Sequence, residues 1–392
     1  MLVKPNYIQV EQLFPSTGMT TGTSLNISGV SFQDPEIGVI TLADGNCGIS
    51  VDSGKVFTPL PTGNTEPLTG VCALPGKWVA IGKNGTIIHT INNGANWNPI
   101  VSGTTEDFNA IHCATPTSGH IVGKNGTIHK FTGTAVTAET SGTTEHLNGI
   151  YEFANGNAYA VGDNQTLLSY NGAAWTPQTS PINFNIKDVR FSDALNGYVV
   201  GANGNILQTT NGGSSWAPSL TGVDVDFNSI DVAGTDTAWA TGSGGIVYKT
   251  VDNGSNWVRY SVGYTDDQSQ LRVTKGGKGH VVGQNGNGRY FNDNDAGSPT
   301  FINSKSSILN SIQLYPNPAK NYFNISGNFE KEEKVTIDIK DAQAKLVKQA
   351  VNAYILGPYN EKITTDYFSP GVYFIHIQIG NQSIVKKLVI MK

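Results

Sequence analysis

Acidic side chains stand just ahead of several short apolar runs, where carboxylates could do acid–base chemistry. They are Glu106, Asp107, Glu145, Asp226, Asp266 and Asp267. Hydrolysis of a glycosidic bond needs two carboxyl groups that face one cleft. Nothing in the spacing pairs any two of these residues. We therefore expect solvated loop charge and no catalytic residues, with a glycoside hydrolase or lyase as the alternative.

Metal chemistry has little support in the sequence. The histidines are scattered, and none has the spacing of a zinc site. Asp293 and Asp295 resemble part of a calcium loop, but no bidentate Glu follows at the expected place. We expect no cofactor, and calcium near these two residues is the one option left open.

These residues belong to a segment that recurs about every 40 residues. One copy contains Gly197-Tyr-Val-Val-Gly201-Ala-Asn-Gly204; the equivalents of Gly204 are Gly45, Gly85, Gly126, Gln165, Gly245 and Gly286. Short β-rich runs flank an Asn-Gly corner, which suits a two-residue hairpin because both central residues need positive φ. Four antiparallel strands per copy are typical of a propeller blade. The sequence therefore predicts an all-β fold with a seven-bladed β-propeller.

The last copy ends after Phe291 without an outer strand. Residues 7–14 have a strand pattern in the phase where that strand is missing. We predict that this N-terminal strand completes the last blade and closes the ring, which would protect the sheet edges. An open solenoid of stacked repeats is the alternative.

Two of the three cysteines, Cys72 and Cys113, are placed by the spacing at the same position of adjacent copies. Three cysteines are too few for a disulfide framework. Because other copies carry Val or Ile nearby, we expect buried free thiols, with a disulfide as the alternative.

A polar corner precedes an aromatic residue in most copies. Ser50-Val-Asp52-Ser-Gly54-Lys-Val-Phe57 and Thr250-Val-Asp252-Asn-Gly254-Ser-Asn-Trp257 share one pattern. It resembles the Asp-box of sialidase-type propellers, and residues 25–291 as a whole resemble the Ycf48-like propellers. The resemblance implies structural roles for Asp52, Gly54, Phe57, Asp252, Gly254 and Trp257: the carboxylate binds N–H groups of its own turn, and the aromatic ring packs between blades.

Charge and arginine content exclude several functions. A sialidase needs three arginines around a substrate carboxylate, but Arg190, Arg259, Arg272 and Arg289 all fall in the last three copies and the usual Arg-Ile-Pro opening is absent. The net charge of −5 argues against a nucleic-acid partner. The arginine-rich patch expected of photosynthesis-assembly propellers is missing too, so we do not carry that function over.

A second module follows the repeats. We assign residues 1–297 to the propeller, 298–311 to a linker and 312–392 to a small Ig-like β-sandwich. Tyr315-Pro316-Asn317-Pro318 at its start and Lys386-Lys387 near its end resemble the type IX secretion C-terminal sorting domain of Bacteroidetes. An ordinary adhesion-like Ig domain is the alternative.

The sorting-domain resemblance implies a location. It predicts the type IX secretion machinery as a partner and a final place outside the cell or on the outer-membrane surface. No signal peptide is visible at the start of this chain. No apolar run is long enough to span a bilayer.

These observations favour a binding protein that recognises a glycan or surface protein in adhesion or nutrient capture. We expect the ligand site on the face that carries the Asn-Gly corners, at Lys83, Asn84, Lys124, Asn125, Asp163, Asn164, Asn203 and Asn285. Phe108, Phe184 and Phe227 could stack on sugar rings. A purely structural part of an extracellular assembly is the remaining alternative.

Overall fold

The computed structural model describes residues 7–13, 17–220, 223, 225–261, 265–274, 278–292, 313–315, 319–341, 345–379 and 382–391. It divides into two compact units, Met1–Ala296 and Gly297–Lys392. The predicted linker and the calcium candidates Asp293 and Asp295 lie outside the described residues.

The first unit consists of antiparallel sheets that form the seven blades of a propeller, which confirms the predicted fold class. The first strands of the blades are β3 (Ile27–Phe32), β7 (Leu68–Leu74), β11 (Phe108–Thr115), β15 (Leu147–Glu152), β19 (Ile186–Phe191), β23 (Phe227–Ala233) and β27 (Gln268–Val273). Consecutive first strands contact each other in a closed circle that includes β27 and β3. The first strands are therefore the inner strands, around the central axis.

The other strands follow outward in chain order. The second strands are β4 (Gly38–Leu42), β8 (Lys77–Gly82), β12 (Ser118–Gly123), β16 (Ala158–Gly162), β20 (Gly197–Gly201), β24 (Thr237–Gly242) and β28 (Lys278–Gly283). The third strands are β5 (Cys47–Ser50), β9 (Ile87–Thr90), β13 (Ile128–Thr132), β17 (Leu167–Tyr170), β21 (Asn205–Thr209), β25 (Ile246–Thr250) and β29 (Gly288–Asn292). The fourth strands of blades 1 to 6 are β6 (Thr58–Leu60), β10 (Asn98–Pro99), β14 (Ala135–Glu139), β18 (Trp175–Pro177), β22 (Ala217–Leu220) and β26 (Trp257–Ser261).

The N-terminal segment closes the ring, but through a different strand from the one predicted. The fourth strand of blade 7 is β2 (Thr17–Gly18), which pairs antiparallel with β29. The stretch predicted for this place forms β1 (Tyr7–Leu13), which runs parallel to β26 as a fifth strand of blade 6. The prediction of residues 7–14 as the closing strand was therefore wrong.

The apolar core lies between neighbouring blades. One cluster joins Val79 and Ile81 of blade 2 to Ile111, Ile121 and Phe131 of blade 3. Second strands such as β20 are buried along their whole length because both of their faces are covered. Each blade therefore completes its core with the next one, as expected of a closed repeat protein.

The Asn-Gly corners join the second and third strands and have the predicted backbone. Asn125 and Gly126 have φ of 53° and 69°, and Asn203 and Gly204 have 59° and 63°. In blades 3, 5, 6 and 7 the corners are short 3-10 turns: Lys124–Gly126, Ala202–Gly204, Ser243–Gly245 and Gln284–Gly286.

The second unit is one antiparallel sheet around its own core. Its strands are β30 (Gln313–Tyr315), β31 (Tyr322–Lys340), β32 (Leu346–Thr364), β33 (Gly371–Ile379) and β34 (Gln382–Ile390). One edge of β31 pairs with β32, and the other pairs first with β30 and then with β33. Phe323, Ile337, Ile375 and Leu388 are fully buried. The Ig-like arrangement stays a prediction.

Candidate functional site

The corners of blades 2 to 7, all on one face of the propeller, bind the next blade. The backbone N–H of the middle corner residue donates to the side chain directly before the following inner strand. These bonds join Asn84 to Asp107 (3.1 Å), Asn125 to His146 (3.1 Å), Asn164 to Asn185 (2.9 Å), Asn203 to Asp226 (2.7 Å), Gly244 to Asp267 (3.1 Å) and Asn285 to Asn26 (3.1 Å). In blade 2 the acceptor position holds Pro67, which has no side-chain acceptor.

Four corner asparagines also hold an acidic side chain at the surface. The Nδ2 groups donate to a carboxylate that precedes the inner strand of the same blade: Asn84 to Glu66 (2.7 Å), Asn125 to Glu106 (3.0 Å), Asn164 to Glu145 (2.8 Å) and Asn285 to Asp266 (3.2 Å). Blades 2, 3 and 4 therefore present the same exposed Asn–Glu pair side by side. We call these three the Asn–Glu pairs.

Basic side chains neutralise part of the remaining acidity. The Lys124 Nζ lies 2.7 Å from an Asp107 carboxylate oxygen, and its hydrogen bond holds the pKa of Asp107 below its usual value. Asp163 accepts from the Lys187 Nζ at 3.3 Å and from the Asn148 Nδ2 at 2.8 Å. The carboxylates of Asp107 and Asp163 are thus both paired with lysines. This pairing is typical of a charged surface and not of a general acid.

Two grooves open next to the Asn–Glu pairs. One of about 690 Å³ in blade 2 is lined by Asn64, Gly85, Ser102 and Thr104. Another of about 570 Å³ occupies the equivalent place in blade 3, lined by Asn125, Glu139, Ser141 and Thr143. Each lies between a corner and the loop that leads to the next inner strand. The blade 3 groove offers mainly hydroxyl, amide and backbone groups, whereas the blade 2 groove is also lined by apolar side chains such as Ile88, Pro99 and Val101.

The structure places all eight predicted ligand-binding residues at the corners of one face. Lys83, Asn84, Lys124, Asn125, Asn164, Asn203 and Asn285 are exposed, and Asp163 is half-buried. They are spread along an arc and not gathered in one pocket. Their role in binding stays a prediction.

The phenylalanines proposed for sugar stacking are corrected by the structure. Phe108, Phe184 and Phe227 are 0%, 3% and 0% exposed. They begin or precede inner strands and pack between the blades, because the chain turns inward there. No sugar ring can reach them without unfolding a blade.

A layer of side chains from all seven inner strands surrounds the central axis, and sequence reasoning missed it. It holds the residue four places after the start of each inner strand: Ser31, Cys72, His112, Tyr151, Arg190, Asp231 and Arg272. Burial, followed by the charges of Arg190 and Arg272, holds the pKa of His112 well below its usual value. Because blades 5 and 7 influence a residue of blade 3, the side chains converge across the ring. We call these residues the axial layer.

The axial layer carries a compensated charge cluster. Arg190 contacts Asp188 at 3.0 Å and Asp231 at 3.8 Å, and it donates to the carbonyl of Ile150 in blade 4 at 3.3 Å. Burial, followed by the neighbouring Arg190, lowers the pKa of Arg272 to about 10. The four arginines do not converge, because Arg259 lies on a fourth strand and Arg289 on a third. This arrangement does not build the three-arginine site of a sialidase.

The polar corners before the aromatic residues have the expected hydrogen bonds. Asp52 Oδ1 accepts from the backbone N–H groups of Lys55 and Val56, both at 3.0 Å. Asp252 Oδ1 accepts from the N–H of Asn256 at 2.9 Å. A Cβ on Gly54 would lie 2.4 Å from a His280 ring nitrogen.

The aromatic residues that follow these corners are buried. Phe57 and Trp257 are 1% and 0% exposed. The Trp257 Nε1 donates to Ser219 Oγ of the preceding blade at 3.0 Å. These contacts support the structural role that the Asp-box resemblance implies.

Part of the predicted sorting motif can be located. Tyr315 ends β30 with 44% exposure, and Lys386 is half-buried in β34, next to Lys387 in the same strand. Pro316, Asn317 and Pro318 lie outside the described residues.

Comparison with known proteins defines the class of each unit. Residues 313–391 match the family model of the secretion system C-terminal sorting domain, and residues 167–265 match that of the photosynthesis system II assembly factor YCF48. The chain is thus similar to a YCF48-like propeller followed by a type IX sorting domain, which confirms the resemblance drawn from the sequence. No curated protein matches the chain.

Solved structures show the fold. YCF48 from Cyanidioschyzon merolae is 16% identical with a TM-score of 0.61, over 72% of this chain and 100% of its own. A structure of YCF48 bound to D1 peptide is 16% identical with a TM-score of 0.62, over 72% of this chain and 97% of its own. The WD40 propeller domain of Doa1 is 11% identical with a TM-score of 0.62, over the same shares.

The sorting domain implies export to the cell surface or the extracellular space. Among the described residues, none of the helices is long and apolar enough to cross a membrane.

Proposed function

We propose that this chain is an exported glycan-binding protein and that the Asn–Glu pairs of blades 2 to 4 form its recognition surface. The observation that carries the proposal is the exposed repetition of one polar pair on three consecutive blades, beside two grooves to which hydroxyl and amide groups contribute. Export places this surface where extracellular glycans occur.

The chemistry of each pair suits sugar hydroxyl groups. Only one N–H of the asparagine amide is used in holding the carboxylate, so the other N–H and the carbonyl oxygen can face a ligand. The second carboxylate oxygen accepts a hydroxyl hydrogen, and hydrogen bonds to a charged group are the stronger kind. The pair is also held in place before binding, which lowers the entropic cost of recognition.

The test is a broad glycan array probed with the full chain at neutral pH. The proposal predicts saturable binding to a defined set of glycans. Binding to none of them would contradict it, and protein partners or self-assembly would then be the functions to examine.

Single substitutions place the site once a glycan is found. Asn125→Gly removes an amide but keeps the positive φ of 53°, so the corner should stay intact. We expect affinity to fall by about fivefold to tenfold, the value of roughly one hydrogen bond between neutral groups. Asn93→Gly is the matched control, because this exposed residue has the same φ of 53° but lies in the corner between the third and fourth strands of blade 2, outside the predicted binding residues. Equal loss in both variants would argue against this surface.

A further inference from the structure

Cys72 and Cys113 lie together between blades 2 and 3. Both belong to one apolar cluster, where Cys113 is 8% exposed and Cys72 is partly buried. Their strands β7 and β11 are neighbouring inner strands that contact each other. The third cysteine, Cys47, is fully buried in the adjoining cluster between blades 1 and 2.

The strand register explains why the two thiols meet. The sequence spacing suggested equivalent positions, but a bulge between Cys113 and Thr115 shifts β11 by one residue. Cys72 pairs with Val79 as His112 pairs with His120, so Cys72 is the equivalent of His112 and belongs to the axial layer. Cys113 stands one residue further along its strand. The predicted equivalence of the two cysteines was therefore wrong.

Other blades show what this offset does. Axial-layer side chains accept the backbone N–H of the residue that follows the layer in the next blade. Ser31 accepts from Ala73 (3.0 Å), His112 from Glu152 (3.1 Å) and Asp231 from Val273 (2.7 Å). Cys72 and Cys113 occupy these two places in blades 2 and 3, so the Cys72 side chain is directed at the Cys113 backbone.

The side chain of Cys113 points back toward blade 2. Its equivalent in blade 4 is Glu152, which contacts Ser118 at 2.6 Å and His120 at 2.7 Å, both on the preceding blade. A side chain at this place thus turns to the blade before it. Cys113 consequently faces Cys72 across the blade interface.

We propose that Cys72 and Cys113 form a disulfide bond when the exported chain folds in an oxidising compartment. Disulfides persist in the periplasm and outside the cell, where the sorting domain implies that this chain travels. The oxidant is a small or protein disulfide. The Cys72 thiolate displaces one of its thiols, the Cys113 thiolate displaces the other, and the products are one Cys72–Cys113 bond and two reduced thiols.

We expect the Cys72–Cys113 disulfide to form during folding and not in the folded state. The neighbouring Cys72 thiol and burial raise the pKa of Cys113, so its thiolate is scarce once the blades have packed. The thiolate, and not the thiol, attacks the sulfur in each step of thiol–disulfide exchange. The bond should therefore form while blades 2 and 3 are still exposed to the oxidant.

Refolding the full chain in a glutathione redox buffer tests the proposal. After the protein is quenched with iodoacetamide in denaturant, trypsin separates the cysteines into residues 1–55, 56–77 and 84–124. We expect a peptide 56–77 linked to 84–124, a mass lower by two hydrogens, and one alkylated cysteine, Cys47. Three alkylated cysteines, or a linkage that includes residues 1–55, would overturn the proposal.

Three variants test whether the linked peptide depends on Cys72 and Cys113 and not on Cys47. Cys72→Ser and Cys113→Ser should each give two alkylated cysteines and no linked peptide. Cys47→Ser should retain the link. A chain with Cys47→Ser that folds but shows no link would also overturn the proposal.

Discussion

At the residue scale, the corner residues hold the ring together and also shape its face. Asn125 combines a positive φ, a backbone bond to the next blade and a side-chain bond to Glu106. Gly126 follows because a Cβ there would lie 2.0 Å from the Thr143 carbonyl oxygen. Sequence alone predicted the positive φ, since Asn-Gly is the preferred pair for such corners. It could not predict the partners, which come from the next blade.

Gly126→Ala should therefore destabilise the propeller strongly. The new methyl group meets backbone that cannot move away, and φ stays at 69°. We expect a loss of about 2 kcal/mol or more in the free energy of unfolding by urea. Gly133→Ala is the control, because its φ is 73° and nothing lies within 4 Å of a Cβ there. It should lose about 1 kcal/mol, the cost of positive φ alone. Equal losses would contradict the steric account.

At the element scale, the second strands β12 and β28 carry buried histidines that join them to neighbouring strands or blades. His120 on β12 lies 2.7 Å from Glu152 on β15 and 3.3 Å from Glu139 on β14. Burial alone would lower the pKa of His120, but the neighbouring carboxylates of Glu139 and Glu152 outweigh burial and raise it. The Nε2–H of His280 on β28 donates to the Ser53 carbonyl oxygen at 2.9 Å, and burial lowers the pKa of His280 to about 4. The sequence showed both only as scattered histidines, because the carboxylates that distinguish them lie on other strands.

The two histidines should give stability opposite dependences on pH. A raised pKa means that His120 stabilises the fold fully below about pH 6.5 and that this contribution is lost as pH rises through its folded pKa. A lowered pKa means that His280 destabilises the fold as pH falls from about 6.5 toward 4. We expect His120→Gln to cost more stability at pH 6 than at pH 9. His280→Gln should flatten the fall in stability below pH 6.5, as followed by thermal unfolding across pH. The same pH profile for both variants would contradict these assignments.

The strands themselves were the most predictable elements, except at the N-terminus. The regular copies gave clear apolar runs for the first three strands of each blade. The closing strand β2 has two residues, too few for an alternating pattern. The longer stretch before it was therefore predicted as the closing strand instead. The axial layer was missed for a related reason: it exists only when seven inner strands are brought into one register around an axis.

At the scale of the whole molecule, the N-terminal segment spans three blades. β1 pairs with blade 6, β2 completes blade 7, and Thr20 forms a bridge with Val56 of blade 1. Ring closure thus depends on residues that are furthest apart in the sequence of the propeller. Contacts of this kind are formed late and cost much chain entropy.

Two N-terminal deletions should show which strand, β1 or β2, closes the ring of blades. Removal of residues 1–18 deletes β2 and leaves β29 with an open edge, so we expect a clearly lower melting temperature and loss of a single cooperative transition. Removal of residues 1–13 deletes only β1, the added fifth strand, and should lower the melting temperature less. Calorimetry of both deletion variants, each with the second unit intact, checks this order of melting temperatures. A reversed order would show that β1, and not β2, closes the ring.

Export and the proposed glycan recognition both involve the whole chain. The sorting domain accounts for delivery, and the repeated blades account for a surface that presents one polar pair three times. Repetition on rigid elements suits a ligand that itself repeats, because each added contact then costs little further ordering. The identity of that ligand does not follow from the fold, since propellers carry many functions.

The most direct test of the account is the affinity of the full chain for its best array glycan after all three pairs are altered together. The variant Asn84→Gly, Asn125→Gly, Asn164→Gly keeps every corner backbone but removes the three amides, and Asn93→Gly serves as control. Titration calorimetry should show a loss of about 100-fold or more in the triple variant, beyond any single change, and unchanged affinity in the control. Unchanged affinity in the folded triple variant would contradict recognition by this face.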